Sequence, residues 1–136
     1  MPKDSTDSNQ NTLPLPTSAE MDILAALWRL GPATVREVHE ACSAKKPVGY
    51  TTVLKLLQIM TAKGIVRRNE SQRAHVYESC LPPEATKRQF ASDLLQRVFE
   101  GSASQLMMHA LAGRRTSPQE IEALRRLLDQ HERKPR

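Results

Sequence analysis

The stretch that most constrains this chain is Gly49-Tyr-Thr-Thr-Val-Leu-Lys-Leu-Leu-Gln-Ile-Met-Thr-Ala-Lys-Gly64. Val53, Leu56, Leu57 and Met60 recur at i, i+3, i+4 and i+7, so a helix here has one apolar face that needs a core. The other face carries Thr51, Thr52, Lys55, Gln58 and Ala62, with no acid among them. Short hydroxyls, an amide and a cation are the groups that reach base edges and phosphates in a DNA major groove. Gly64 ends the helix, and a β-like run follows at once. Taken alone, the stretch is better read as an ordinary amphipathic helix with a solvated face, because its period is common in globular proteins. Its flanks reverse that reading.

Charge is the first flanking signal. The chain of 136 residues carries a formal charge of +5, which says little by itself. Between Ser43 and His75, however, Lys45, Lys46, Lys55, Lys63, Arg67, Arg68 and Arg73 face a single acid, Glu70. Between Thr17 and Cys42 the balance is reversed, with Glu20, Asp22, Glu37 and Glu40 against Arg29 and Arg36. Basic charge concentrated on one helix and its flanks is the electrostatic footprint that double-stranded DNA requires.

In chain order, residues 1–16 are polar and proline-containing, with Lys3 as the only cation, and are expected to form a disordered arm. Thr17-x-x-Glu20 is a capping box that opens a helix burying Leu24, Leu27 and Trp28, stopped by Gly31-Pro32. Trp28 reads as a core anchor and not as a ligand platform. A second box, Thr34-x-x-Glu37, opens a shorter helix with Val35, Val38 and Cys42 inward, and Ala33 to Val35 could add a short strand before it. Lys45-Lys46-Pro47-Val48-Gly49 is then a turn whose two lysines sit where phosphates would pass. Helix, turn and helix make a helix-turn-helix candidate. Ile65–Arg68 and Ala74–Glu78 read as paired strands joined by a loop over residues 69–73. A hairpin directly after the third helix is a wing. Each of its charges singly is ordinary solvated surface, but Arg67, Arg68 and Arg73 together beside Lys55 favour phosphate contact.

Leu81-Pro82-Pro83 separates this domain, residues 17–80, from a second unit over residues 81–131, followed by a basic tail at 132–136. Three helical patterns carry Phe90, Leu94 and Val98, then Leu106, Met107, Ala110 and Leu111, then Ile121, Leu124, Leu127 and Leu128. Gly113 ends the second pattern, and Ser117-Pro118-x-Glu120 caps the third. A unit this short buries too little to fold comfortably alone. Burial against a second copy is the expected solution, with Phe90, Leu94, Val98, Leu106, Ile121, Leu124 and Leu128 at the interface; packing back on the first domain is the alternative. Met107-Met108 could line an adaptable pocket, but gap-filling core is the commoner use.

The expected fold is thus mainly α with a small β-hairpin wing: an N-terminal winged helix-turn-helix plus a C-terminal three-helix dimerisation module. No apolar run is long enough to cross a membrane and no signal segment is present, so the expected location is the cytoplasm without membrane insertion. Cys42 and Cys80 lack the spacing of a metal or redox pair and are expected as two buried free thiols. His39, His75, His109 and His131 are scattered, so no metal and no cofactor is expected. No nucleophile with a base, no Gly-rich phosphate loop and no plausible carboxylate pair occurs, since Glu37 and Glu40 read as solvated charges near a helix start; an enzyme is not expected. The remaining alternative is a protein-interaction adaptor that uses the helical triad without reading DNA, which the basic concentration argues against.

Thr17-Ser-Ala-Glu20 with Leu27-Trp28, Gly49-Tyr-Thr-Thr-Val53 through Lys63-Gly64, His75-Val-Tyr77, Phe99-Glu-Gly101 and Ser117-Pro-Gln-Glu-Ile121 follow one another in an order and spacing that resembles the penicillinase-repressor family, the BlaI/MecI/CopY group of bacterial transcriptional regulators. The resemblance covers residues 17 to about 131. It implies a homodimeric winged-helix repressor on a palindromic operator, controlling β-lactamase-type or other stress genes, and inactivated by a membrane sensor metalloprotease. It places Tyr50, Thr51, Thr52 and Lys55 on the recognition helix and Arg67, Arg68 and Arg73 on the wing. Three departures stand out. Gln72 occupies a position where many members have a wing-turn glycine, so the wing tip is expected to differ in shape. The cysteine cluster of the copper-responsive branch is absent. The Asn-Phe bond at which the two best-known branches are cut corresponds to His109-Ala110, so the possible proteolytic junction lacks its large aromatic.

Overall fold

The computed structural model describes residues 15–133. Of the expected arm, residues 1–14 lie outside that range, as do residues 134–136 of the expected basic tail. Helix α1, Ser18–Leu30, starts on a complete capping box: the Thr17 hydroxyl accepts from the Glu20 N–H at 3.1 Å, and the Glu20 carboxylate accepts from the Thr17 N–H at 3.0 Å. Strand β1, Ala33–Thr34, leads into α2, Val35–Ser43, through a second complete box between Thr34 and Glu37. Helix α3, Tyr50–Lys63, ends at Gly64, whose φ of 85° is the left-handed conformation that a Cβ would strain. The Ile65 N–H closes the cap on the Met60 carbonyl at 3.0 Å.

Strands β2, Val66–Asn69, and β3, Val76–Ser79, form the hairpin, and β1 adds to the other side of β3 in an antiparallel sheet ordered β1-β3-β2. The strands start one and two residues later than the sequence reading placed them. The Ile65 N–H goes to the helix cap, although its carbonyl accepts from the Cys80 N–H at 2.9 Å, and Ala74 and His75 belong to the connecting loop. In register, Arg67 faces Glu78 and Arg68 faces Tyr77.

Ile23, Leu24, Leu27, Val38, Val53, Leu57, Met60, Ile65 and Tyr77 form the buried core between α1, α2, α3 and the sheet. Trp28 borders it half-buried, its ring N–H donating to the Ser79 hydroxyl at 3.1 Å and the Leu81 carbonyl at 3.2 Å. Glu20, only 2% exposed, also accepts from the Lys63 ammonium at 2.8 Å, tying the start of α1 to the end of α3. The cysteines are free, but they are not both buried: Cys42 is half-buried and Cys80 is exposed. Alternation along β3 turns Tyr77 inward and Glu78 outward, and Cys80 continues the outward series one residue past the strand. Burial pushes the Cys42 thiol above its ordinary value.

Helix α4, Pro83–Phe99, follows, then α5, Ala103–Leu111, and α6, Pro118–Arg133. The chain divides into two compact units, one through Ser92 and one from Asp93. In the second, Ser102 caps α5 and Ser117 caps α6. No residue of α5 or α6 is buried. Among the described residues, no helix is long and apolar enough to cross a membrane.

Candidate nucleic-acid interface

Burial of Val53, Leu57 and Met60 fixes how α3 is rotated, and Thr51, Thr52, Lys55, Gln58 and Ala62 are all left exposed on the opposite side. Tyr50 is exposed at the first turn. The N-cap is Gly49, with no side-chain cap bond, and the first turn holds no acid. The leading N–H groups of α3 therefore face outward with the positive end of the helix dipole, an arrangement suited to an anion.

The turn before α3 is stapled to α2. His39 Nε2 donates to the Val48 carbonyl at 2.8 Å, and the Ser43 hydroxyl donates to the same oxygen at 3.2 Å. The His39 ring also meets Tyr50 edge-on, with centroids 5.7 Å apart. Lys45 and Lys46 stand exposed on this turn. His39 and Ser43 thus position the start of α3, a role that no periodicity in the sequence signals.

The hairpin departs from the simple basic wing. Arg67 Nη2 lies 3.1 Å from Glu78 Oε1 across the strand pair. Arg68 pairs with Glu70 at the tip. Glu78 holds the Arg67 guanidinium above its ordinary pKa; the Tyr77 hydroxyl first and Glu70 second do so for Arg68. Of the seven cations between residues 43 and 75, only Lys45, Lys46, Lys55 and Arg73 make no ion pair among the described residues. The charge count along the sequence missed this because Glu20 and Glu78, the partners of Lys63 and Arg67, lie outside the basic stretch. The strand register was the signal that could have found Glu78.

Between α2, the start of α3 and the hairpin runs an open groove of about 1000 Å³. Tyr50 and Leu54 line it from α3, Arg36, His39 and Glu40 from α2, and Arg73 and His75 from the hairpin. The expected contact residues thus occupy a continuous set of elements within one compact unit: α3, the turn before it and the hairpin after it.

The family model described as "Penicillinase repressor" matches residues 16–130. The chain belongs to the penicillinase-repressor family. A transcriptional regulator, BlaI, of Mycobacterium tuberculosis is 34% identical over 111 residues, covering 80% of this chain and 79% of the relative. A penicillinase repressor of Staphylococcus aureus is 23% identical over 111 residues, covering 82% and 88%. Among solved structures, Bordetella bronchiseptica BpsR, a DNA-binding protein regulated by 6-hydroxynicotinic acid, superposes with a TM-score of 0.51 at 18% identity, over 96% of this chain and 91% of that one. That likeness bears on the fold alone, a winged-helix domain joined to further helices. The family is one of DNA-binding transcriptional repressors and not of enzymes.

In this repressor the residues expected at a dimer interface are divided. Phe90 lies in the first compact unit, and Leu94, Val98, Leu106, Ile121, Leu124 and Leu128 lie in the second. Val98, Leu127 and Leu128 are more than half exposed at 62%, 60% and 69%, as is Met108 at 63%. His109 and Ala110 are both exposed within α5, the His109 ring 5.7 Å from that of Phe99.

Proposed function

We propose that this repressor binds a palindromic operator as a homodimer, each copy laying α3 in the major groove and its hairpin against the flanking backbone. The observation that carries the reading is the acid-free exposed face of α3, with an N-terminus that no side chain caps, flanked by Lys45, Lys46 and Arg73, which like Lys55 make no ion pair among the described residues. Thr51, Thr52 and Lys55 are the base readers on this reading, and Tyr50 supports the backbone contact at the first turn. A phosphate strand that borders the groove entered by α3 must pass between α3 and the hairpin. On this reading the path is the hairpin side of the open groove, where Tyr50, Arg73 and His75 lie, since its α2 side carries Glu37 and Glu40 beside Arg36. The adaptor alternative has no comparable use for these cations.

The second unit supplies the dimer contact on this reading. Its helices leave Val98, Met108, Leu127 and Leu128 more than half exposed, apolar surface that burial against a second copy would cover. Release follows by proteolysis from a membrane sensor metalloprotease, with a recognition preference that differs from Asn-Phe, because the corresponding His109-Ala110 bond offers no aromatic to a deep pocket. Footprinting of this protein on the promoter of its own gene tests the proposal: two protected half-sites related by a dyad are expected. Protection without dyad symmetry, or none at low salt, contradicts it.

A further inference from the structure

We propose that Glu78 and Glu70 are built-in competitor anions: they hold the guanidinia of Arg67 and Arg68 in place on the hairpin and surrender them to DNA phosphates, so that they set the strength and salt dependence of binding. The inference rests on the DNA-binding reading above.

Arg67 and Glu78 are cross-strand partners in the β2–β3 register, and their side chains meet at 3.1 Å while 64% and 44% exposed. The pair is therefore preformed and accessible from solvent. A carboxylate and a phosphate oxygen make the same charge-assisted bond to a guanidinium, so one displaces the other without rebuilding the hairpin. Arg68 repeats the device at the tip with Glu70. Arg73, on the same hairpin, makes no ion pair among the described residues and needs no such exchange.

The exchange has a distinct signature. A phosphate neutralised by a free arginine releases a condensed cation from DNA, which steepens the fall of affinity with salt. When the arginine must first leave a carboxylate, the freed carboxylate attracts a cation in turn. The net release shrinks, and so does the slope. Surface ion pairs of this kind are worth little, so the effect on affinity is modest and the effect on salt slope is the sharper readout.

The test titrates the full chain with a non-operator DNA duplex at four or more salt concentrations. The proteins are the wild type, Glu78→Gln, Arg67→Gln and the double variant. Glu78→Gln is expected to bind about 1.5- to 5-fold more tightly at low salt. Its salt slope should steepen by up to roughly 0.9, one phosphate contact. In the Arg67→Gln background the same change should have no such effect, because the guanidinium it frees is gone. Glu70→Gln should behave likewise through Arg68. Unchanged affinity and slope in both glutamine variants overturn the proposal. So does an equal gain with and without Arg67, which would make Glu78 a plain repulsive charge. A wild-type chain that fails to bind duplex DNA even at low salt removes the DNA-binding reading itself, whereas binding that is lost in Arg67→Gln but indifferent to Glu78 overturns only the exchange.

Discussion

Lys55 stands in the middle of the exposed face of α3, one turn beyond Thr51 and Thr52, and no acid is close enough to pair with it among the described residues. Replacing it with alanine is expected to weaken operator binding by about 1 to 3 kcal/mol and to relax preference at one base position. Titration against operator variants carrying each base at that position checks this. Charge removal at Arg73 should behave differently: all duplexes weaken about equally, and the salt slope flattens by roughly one phosphate contact. Lys63 was counted by the charge pattern among the DNA cations, yet it is committed to Glu20 at 2.8 Å. Lys63→Met leaves a carboxylate that is 2% exposed with the Thr17 N–H as its remaining donor, so the expected outcome is a loss of about 2 kcal/mol of stability with little change in salt slope. The midpoint of urea unfolding at constant m reads the first, and DNA titration the second.

At the scale of elements, the helices were legible because their boundaries are chemical. Thr17 with Glu20, Thr34 with Glu37 and Ser117 with Glu120 are N-terminal caps, and Gly31 and Gly64 are stops, all visible as letters. Thr17→Ala and Thr34→Ala should each cost about 1 kcal/mol, read by thermal unfolding. The hairpin was legible in kind and off by one or two residues at its strand starts. Whether the Ile65 N–H joins the sheet or closes the cap of α3 depends on three-dimensional hydrogen bonding that period-2 alternation does not encode. The same limit hid the neutralisation of the wing. Alternation says that Arg67 points outward, but only the pairing of β2 with β3 says that it points at Glu78. The staple from His39 and Ser43 to Val48 was hidden too, since a bond from one side chain to a carbonyl leaves no periodic trace. In α5, the His109-Ala110 bond lies inside a helix, so cutting there requires local opening. A protease with an Asn-Phe preference is expected to leave it intact, and mass spectrometry of the chain after incubation with such an enzyme checks this.

At the scale of the molecule, the two compact units differ in how well they bury themselves. The first contains the core of α1, α2, α3 and the sheet, whereas α5 and α6 of the second bury no residue. A chain ending near Ser92 is therefore expected to fold, to remain monomeric in sedimentation, and to bind a full palindrome far more weakly than the intact chain, because each copy holds one half-site alone. A dimer of that shortened chain would place the contact elsewhere. The central claim is that α3 reads DNA sequence while its cationic flanks supply the general attraction. The most direct measurement is competitive titration of the intact protein and of a combined Thr51→Ala, Thr52→Ala, Lys55→Ala variant, each against operator and non-operator duplexes at the same salt. The account predicts that the variant keeps most of its non-operator binding and loses its preference for the operator. A variant that still prefers the operator as strongly as the wild type would contradict it.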